Sequence, residues 1–201
     1  DFLVNKKKSK AIVIACNTAT AFAVNVLRDR FNIPIIGMEP AVKPALKVTL
    51  NKLVGVLATS GTSKSAKFSA LLERYSGDVK FFVQPCPGLV NAIERGNFDD
   101  AELFELLEKY LANFKKNNVD TIVLGCTHFV YIKHLVKKIM GTDIKIVDTS
   151  EAVARQLRVK LDVFNLRANS SETNEKMKLI LTKHKNIPQE IDQFLSGSNL
   201  S

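Results

Sequence analysis

Residues 11–18 read Ala11-Ile12-Val13-Ile14-Ala15-Cys16-Asn17-Thr18. A short apolar run ends there in a cysteine, and a helical pattern begins. The arrangement returns later in the chain, at Thr121-Ile122-Val123-Leu124-Gly125-Cys126-Thr127-His128. The similarity continues beyond the two helical stretches, because residues 33–42 resemble residues 144–153. The second segment lies one residue farther from its cysteine than the first. Two equivalent thiols predict a functional site that is built from two facing halves.

Apolar runs of four to six residues recur along the chain and predict six strands. Most of them are followed by a stretch with helical spacing, and this alternation is typical of parallel sheets covered by helices on both faces. The sequence therefore predicts the α/β class. The six runs lie at 11–15, 33–37, 54–58, 79–83, 121–125 and 144–148.

Two further regions have readable patterns. A wide apolar stripe behind acidic first-turn residues predicts a helix from Asp99 to Asn113. In the tail we expect a strand near residues 163–166, a helix from Glu172 to about Lys183, and a short helix beyond Pro188.

The composition fits an intracellular globular protein, such as an enzyme. The 201 residues are 46% hydrophobic and 24% charged, and no apolar run approaches the roughly 20 residues that span a bilayer. The first residues lack the basic and apolar regions of a secretory signal. Three cysteines are too few for a disulfide framework. We therefore expect free thiols, a cytoplasmic location and no membrane contact.

The net charge of +9 raises the question of an acidic partner. The basic residues are spread along the predicted helices, and the one dense run, at residues 6–10, belongs to an amphipathic segment. No recognised nucleic-acid module or interleaving of aromatic and basic residues accompanies the charge. We expect a solvated surface and no nucleic-acid partner.

Cys16 and Cys126 each follow a predicted buried strand and open a helix. This position lies at the carboxyl edge of a parallel sheet, where α/β proteins bind ligands. A helix N-terminus favours the thiolate, so each thiol is expected to ionise readily and to act as a base or a nucleophile. The following residues offer polar groups that suit a carboxylate, or that only cap the helices; they are Asn17, Thr18, Thr127 and His128.

A turn between the two cysteines, residues 59–62, is rich in hydroxyl groups and contains glycine. It lacks the order of a P-loop, so a carboxylate-binding turn fits better than a nucleotide site. Cys86, between two prolines, reads as a buried small apolar residue. Metal binding would have to use Cys126, His128 and His134, whose spacing is not that of a zinc site, and we predict none.

The two cysteine motifs, together with the intervening Thr59-Ser60-Gly61-Thr62, resemble those of the cofactor-independent glutamate racemases. The resemblance runs through nearly the whole chain. It implies that one cysteine removes the α-proton of glutamate as a thiolate, and that the other delivers a proton from the opposite side. It also implies two similar α/β domains with doubly wound parallel sheets, related by pseudo-two-fold symmetry, with the active site between them. The predicted domains are residues 1–40 with 148–201, and residues 41–147.

The resemblance implies roles for individual residues. Cys16 and Cys126 match the two catalytic thiols, His128 matches a histidine that assists the second thiol, and Glu94 matches a nearby glutamate. The family needs no cofactor, acts in the bacterial cytoplasm to supply peptidoglycan with D-glutamate, and is expected to form homodimers. The residues that match substrate-binding positions are Asn17, Thr18, Thr127 and His128, with Thr59 and Thr62 as further candidates.

The chain also departs from the family pattern. The family's opening strand with Asp-Ser-Gly and its Pro-Tyr-Gly loop do not occur here. We expect both to lie before Asp1, and the 201-residue chain alone to have little or no activity. Related racemases that act on aspartate tend to carry Glu where this chain has His128, which favours glutamate. The alternatives are a racemase of another acidic amino acid such as aspartate, and a hydrolase or acyltransferase with one thiol as nucleophile and His128 as base.

Overall fold

The computed structural model describes residues 1–77, 79–168, 178 and 180. Within these residues the chain forms six strands, and each overlaps one of the predicted apolar runs. Every strand pairing between them is parallel. The prediction of an α/β protein with parallel sheets is confirmed. The strands are β1 (Ile12–Ile14), β2 (Ile35–Gly37), β3 (Leu53–Ala58), β4 (Lys80–Pro85), β5 (Thr121–Gly125) and β6 (Lys145–Val147).

Helices follow most of the strands in the described part of the chain. A π-helical turn spans Phe2–Lys6, and a 3₁₀ helix spans Thr127–Ile132. The α-helices are α1 (Asn17–Arg30), α2 (Val42–Ala45), α3 (Ser60–Ser63), α4 (Ala66–Tyr75), α5 (Leu89–Glu94), α6 (Ala101–Lys116), α7 (Lys133–Met140) and α8 (Ser150–Val163).

The strands are arranged in two sheets, and both lie within one compact unit, Asp1–Leu166. Strands β1 and β2 form a small sheet, and the other four strands have the order β4-β3-β5-β6. From β3 the chain first adds β4 on one side, and then crosses over to add β5 and β6 on the other. The larger sheet is therefore doubly wound, and its winding direction reverses between β3 and β5.

The two faces of the larger sheet bury different side chains. Leu57, Ile122 and Leu124 belong to a core shared with α5, α6 and α7. Val54, Val56 and Val123 belong to a second core, which includes Phe68 of α4 and residues of α2. Strands buried on both faces have continuous apolar sequences, and this explains the runs in the sequence. Each large side chain that is fully buried contributes about 1.5–3 kcal/mol of transfer free energy.

Helix α6 confirms the prediction for residues 99–113, although it begins at Ala101 with the Asp100 carboxylate as its cap, and extends to Lys116. The predicted strand near residues 163–166 is wrong. Helix α8 continues to Val163, and Asn165 then takes a left-handed φ of 52° that ends it. The helices predicted from Glu172 to about Lys183 and beyond Pro188 lie outside the described residues, apart from Lys178 and Ile180, which belong to no helix.

None of the helices in the described ranges combines the length and the apolar character that crossing a bilayer requires. The predicted division into residues 1–40 with 148–201, and residues 41–147, stays a prediction.

Candidate active site

Three residues follow one row of paired strand ends at the carboxyl edge of the larger sheet. Ala58 of β3 is in register with both Pro85 of β4 and Gly125 of β5. The next residues along the three strands therefore lie side by side, and they are Cys86, Thr59 and Cys126. Two of these strands, β3 and β5, flank the point where the winding reverses, which is the usual ligand position in open α/β sheets.

Gly125 has a packing reason to be glycine. A Cβ atom at this position would lie 2.5 Å from the carbonyl oxygen of Leu57 on the neighbouring strand. That distance is too short for any side chain, so β5 could not keep its place against β3 with a larger residue. The absence of a side chain at Gly125 brings Cys126 close to the end of β3.

Cys126 is buried, with 9% of its surface exposed. Burial raises the pKa of its thiol, and repulsion from a Cys16 thiolate acts in the same direction, so the two thiols are close enough to interact electrostatically. The backbone N–H groups of His128 and Phe129 and the hydroxyl of Thr127 oppose the rise. The expectation that a helix N-terminus makes this thiol ionise readily is therefore wrong, because the cost of burial is larger.

A hydrogen-bonded series leads from Cys126 toward solvent. The sulfur atom lies 3.9 Å from Nδ1 of His128. The other ring nitrogen, Nε2, lies 3.2 Å from Oε1 of Glu94. His128 and Glu94 are both half-exposed. An imidazole between a thiol and a carboxylate can move a proton to or from the sulfur, while the carboxylate stabilises the positive charge that forms on the ring.

Cys16 lies at the start of α1 and is partly exposed. Its backbone is extended, and its sulfur accepts a hydrogen bond from the N–H of Ala19 at 3.4 Å, so the thiol caps the helix. Asn17 follows it and is buried, with 5% exposed. Among the described residues, Oδ1 of Asn17 has no hydrogen-bond partner. A buried acceptor without a partner is costly, and a ligand ammonium or hydroxyl group could satisfy it.

Three threonine hydroxyls meet in a triangle beside these residues. The Oγ1 of Thr18, in the first turn of α1, lies 2.9 Å from that of Thr59 and 3.0 Å from that of Thr62. The remaining side, from Thr59 to Thr62, measures 3.1 Å. The Thr59 hydroxyl also caps α3 by accepting from the N–H of Thr62. Because hydroxyl protons rotate freely, the triangle can turn its donors toward an anion.

Cys86 confirms the interpretation as a small buried residue, since it is 2% exposed. Burial raises the pKa of its thiol to about 12. The sulfur is 3.2 Å from the carbonyl oxygen of Gln84, to which the S–H donates. No group of three or more His, Cys, Asp or Glu side chains is placed to hold a metal ion in the part of the chain that the structure describes.

The chain matches a known protein family in sequence. The sequence pattern of the Asp/Glu/hydantoin racemase family matches residues 3–157. The chain belongs to this family.

Glutamate racemases are among the relatives that this chain resembles. It is 49% identical over 170 residues to the glutamate racemase of Pseudomonas paraeruginosa, a match that covers 84% of this chain and 64% of the relative. The chain therefore spans less than two thirds of the length of that curated relative.

Solved glutamate racemases share the fold. An isoform from Bacillus anthracis has a TM-score of 0.70 and 32% identity, over 80% of this chain and 60% of that one. The enzyme from Francisella tularensis, solved in complex with D-glutamate, has a TM-score of 0.77 and 26% identity, over 98% of this chain and 73% of that one.

In this member of the racemase family, the predicted site residues fall into three local groups. Cys126 lies with Thr127, His128 and Glu94; Thr18 lies with Thr59 and Thr62; and Cys16 lies with Asn17. Their catalytic and binding roles stay predictions. Sequence reasoning missed Thr20, whose buried hydroxyl joins the ends of β1 and β2 behind Cys16. Its hydroxyl contacts backbone groups of Ile14 and Met38, which no local pattern indicates. The one signal in the sequence is that a second threonine follows Thr18 after Cys16.

Proposed function

We propose that the protein carrying this chain interconverts L- and D-glutamate. The observation that carries the proposal is the series Cys126, His128 and Glu94, whose thiol interacts electrostatically with a second thiol, Cys16. Racemisation at Cα needs one group that removes the α-proton and another that returns a proton to the opposite face. A pair of thiols that follow separate sheets suits this requirement.

The proposed step moves one proton on each face of Cα. In one direction the Cys16 thiolate takes the α-proton, and the electron pair stays on the substrate as an enolate-like carbanion. The Cys126 thiol then gives its proton to the opposite face and becomes a thiolate. In the reverse direction the two thiols exchange roles. The raised pKa of Cys126 favours its protonated form at rest, so this thiol starts as the acid.

After one turnover Cys16 is a thiol and Cys126 is a thiolate. Before the next turnover in the same direction, Cys16 must release its proton to solvent, to which it is partly exposed, and Cys126 must gain one. His128 is placed to give a proton to the Cys126 thiolate, and Glu94 stabilises the imidazolium before that transfer. Both residues reach solvent, from which the proton can be replaced.

The substrate has candidate partners in the first turn of α1 and at the start of α3. The hydroxyls of Thr18, Thr59 and Thr62 can donate to a carboxylate, and the unpartnered Oδ1 of Asn17 can accept from the ammonium group. We assign glutamate because the relatives are glutamate racemases, one of them solved with D-glutamate. The resemblance also supports the roles of Thr127, a cytoplasmic homodimer, and the supply of D-glutamate to peptidoglycan.

The test uses the protein expressed from its complete gene, without added pyridoxal phosphate or metal. L-Glutamate is incubated in D2O, D-glutamate is followed by circular dichroism, and deuterium at Cα is measured by mass spectrometry. We expect D-glutamate that carries deuterium at Cα. Cys16→Ser and Cys126→Ser should each lose several orders of magnitude in rate, because a hydroxyl is a far weaker acid than a thiol.

Cys86→Ser is the matched control, since Cys86 occupies the same sheet edge without the histidine, and it should lose far less. Racemisation that survives either of the other substitutions would contradict the proposal. A faster reaction with aspartate than with glutamate would show that aspartate is the substrate and that the assignment of glutamate is wrong. A burst of product from an activated ester, with no racemisation, would indicate a thiol hydrolase instead.

A further inference from the structure

Thr20 joins the two strands of the small sheet through its side chain. The residue is 1% exposed. Its hydroxyl donates to the carbonyl oxygen of Ile14 at 3.3 Å and accepts from the N–H of Met38 at 2.9 Å. Strand pairing ends at Ile14 and Gly37, so the hydroxyl supplies a further link immediately beyond the last paired residues. Both its donor and its acceptor capacity are used for this purpose.

The helix that carries Thr20 lies very close to the strand behind it. A Cβ atom on Gly37 would be 2.5 Å from Cγ2 of Thr20 and 3.3 Å from Cγ2 of Val24. Gly37 therefore lets the first turns of α1 pack directly on β2. The backbone of Thr20 is also engaged, because its N–H donates to the carbonyl oxygen of Cys16 at 2.9 Å.

Cys16 lies between β1 and α1, and the Thr20 hydroxyl also joins these two elements, because it lies on α1 and donates to Ile14 of β1. Only Ala15 separates it from the end of β1, and its sulfur accepts from the N–H of Ala19 in the first turn of α1. Any shift of that turn relative to β1 would move the sulfur. We infer that Thr20 is a positioning residue, which holds the Cys16 thiol where it can exchange a proton with the substrate. The effect on turnover rests on the function proposed above.

The second thiol is held in a different way. Val130 takes the place of Thr20, four residues after Cys126, and has no hydroxyl. The turn after Cys126 is a 3₁₀ helix, in which the N–H of Phe129 donates to the carbonyl oxygen of Cys126 at 3.1 Å. Loss of the Thr20 hydroxyl should therefore displace Cys16 and leave Cys126 in place, which provides an internal reference.

Thr20→Val keeps the shape of the side chain and removes the hydroxyl. A displacement of a reacting group by about 1 Å can cost on the order of 100-fold in rate, so we expect kcat to fall about 10- to 100-fold, with KM within about threefold. Thr20→Ser restores the hydroxyl and should stay within about threefold of the unaltered kcat. Thr121→Val is the matched control, because Thr121 is buried at the opposite end of the larger sheet.

A second measurement does not depend on racemisation. Each variant is treated with iodoacetamide well below its unfolding midpoint, and the labelled Cys16 and Cys126 peptides are quantified by mass spectrometry. In Thr20→Val the ratio of Cys16 to Cys126 labelling should fall several-fold, because the thiolate is the reactive form and loses its N–H donor. Thr20→Ser and Thr121→Val should keep the ratio of the unaltered protein.

An unchanged ratio in folded Thr20→Val, or a Thr20→Ser variant that behaves like Thr20→Val, would overturn the inference. A loss of stability alone would lower the unfolding midpoint and leave both the ratio and the kcat of the folded protein unchanged, which also counts against it. If the unaltered protein does not racemise glutamate, the proposed function fails, and the labelling ratio still decides the role of Thr20.

Discussion

Cys86 and Cys126 lie at the same sheet edge, and their surroundings give them different chemistry. Burial raises the pKa of both thiols, to about 12 for Cys86. Cys126 additionally faces two backbone N–H groups and the ring of His128. A thiol with these neighbours can lose its proton during a reaction, whereas Cys86 stays protonated with its S–H bonded to a carbonyl group. The distinction comes from neighbours in space.

A substitution at Glu94 can test the negative charge of the side chain without changing its size. Glu94→Gln keeps the size of the side chain but removes the negative charge beside Nε2 of His128, so the imidazolium that returns the proton to Cys126 is less stable. We expect kcat for glutamate racemisation to fall on the order of tenfold, with KM nearly unchanged. Steady-state kinetics followed by circular dichroism will measure both constants.

Glu105→Gln provides the comparison for that substitution, because Glu105 is an exposed glutamate on α6, a different helix. It should leave kcat unchanged. Equal rates for Glu94→Gln and the unaltered protein would show that the carboxylate takes no part in restoring the proton.

Among the elements, those with a local signal could be predicted from the sequence. Continuous apolar runs identified all six described strands, because strands buried on both faces have no alternation to obscure them. The end of α8 was missed, since Val163 and Phe164 favour a strand by propensity. The helix ends through Asn165 in the left-handed region and a hydrogen bond from the N–H of Leu166 to the carbonyl of Leu161.

The candidate site shows the same division between local and distant information. Duplication of the cysteine motif indicated which strand ends carry chemistry, and the positions of Cys16 and Cys126 followed from it. The link through Thr20 could not be predicted, because its partners are Ile14 at the end of β1 and Met38 directly after β2, and the sequence does not state how these strands pair. The depth of Cys126 depends in the same way on the packing of Gly125 against β3.

Asp120 connects two elements at the amino end of the larger sheet. Its carboxylate accepts from the Thr49 hydroxyl at 2.7 Å and from the N–H groups of Leu50 and Asn51 at 2.6 and 2.9 Å. Burial raises the pKa of this carboxyl, but the hydrogen bonds from Thr49, Leu50 and Asn51 outweigh it and lower the pKa below its usual range. The carboxylate thus fastens the loop before β3 to the start of β5.

The Asp120→Asn substitution should reduce the free energy of unfolding by about 1 kcal/mol at pH 7, because it weakens the hydrogen bonds that the carboxylate accepts. The loss is modest because the carboxylate is only half-buried. The folded pKa lies below the unfolded value of about 3.9, so the stabilisation is complete above that pH and is lost as the pH falls through the folded pKa. Urea unfolding at a series of pH values should show the two proteins converging below about pH 4. Asp143→Asn, at an exposed position, should change little. A difference that stays constant with pH would contradict this account.

Across the whole molecule, the two sheets approach each other where the candidate site lies. Thr18 follows the small sheet, while Thr59 and Thr62 follow β3 of the larger sheet, and their hydroxyls are directly bonded. Gly61 avoids crowding at this approach, since a Cβ there would lie 3.0 Å from Cγ2 of Thr18, which is tighter than an ordinary contact. Each sheet also contributes one of the two thiols. A substrate bound beside the threonines could therefore present opposite faces of Cα to the two halves of the molecule.

This arrangement predicts that each of the two thiols exchanges protons with one face of the substrate Cα. A serine hydroxyl serves poorly as an acid and hardly at all as a base, so each Cys→Ser variant keeps one working thiol. In D2O, the residual exchange at Cα in Cys16→Ser should be restricted to the enantiomer whose hydrogen faces Cys126. In Cys126→Ser it should be restricted to the other enantiomer.

Deuterium in recovered L- and D-glutamate, measured after short incubations, will reveal the preference. Cys86→Ser should exchange both enantiomers and should lose far less rate than the other two variants. The same preference in Cys16→Ser and Cys126→Ser would contradict the two-thiol mechanism.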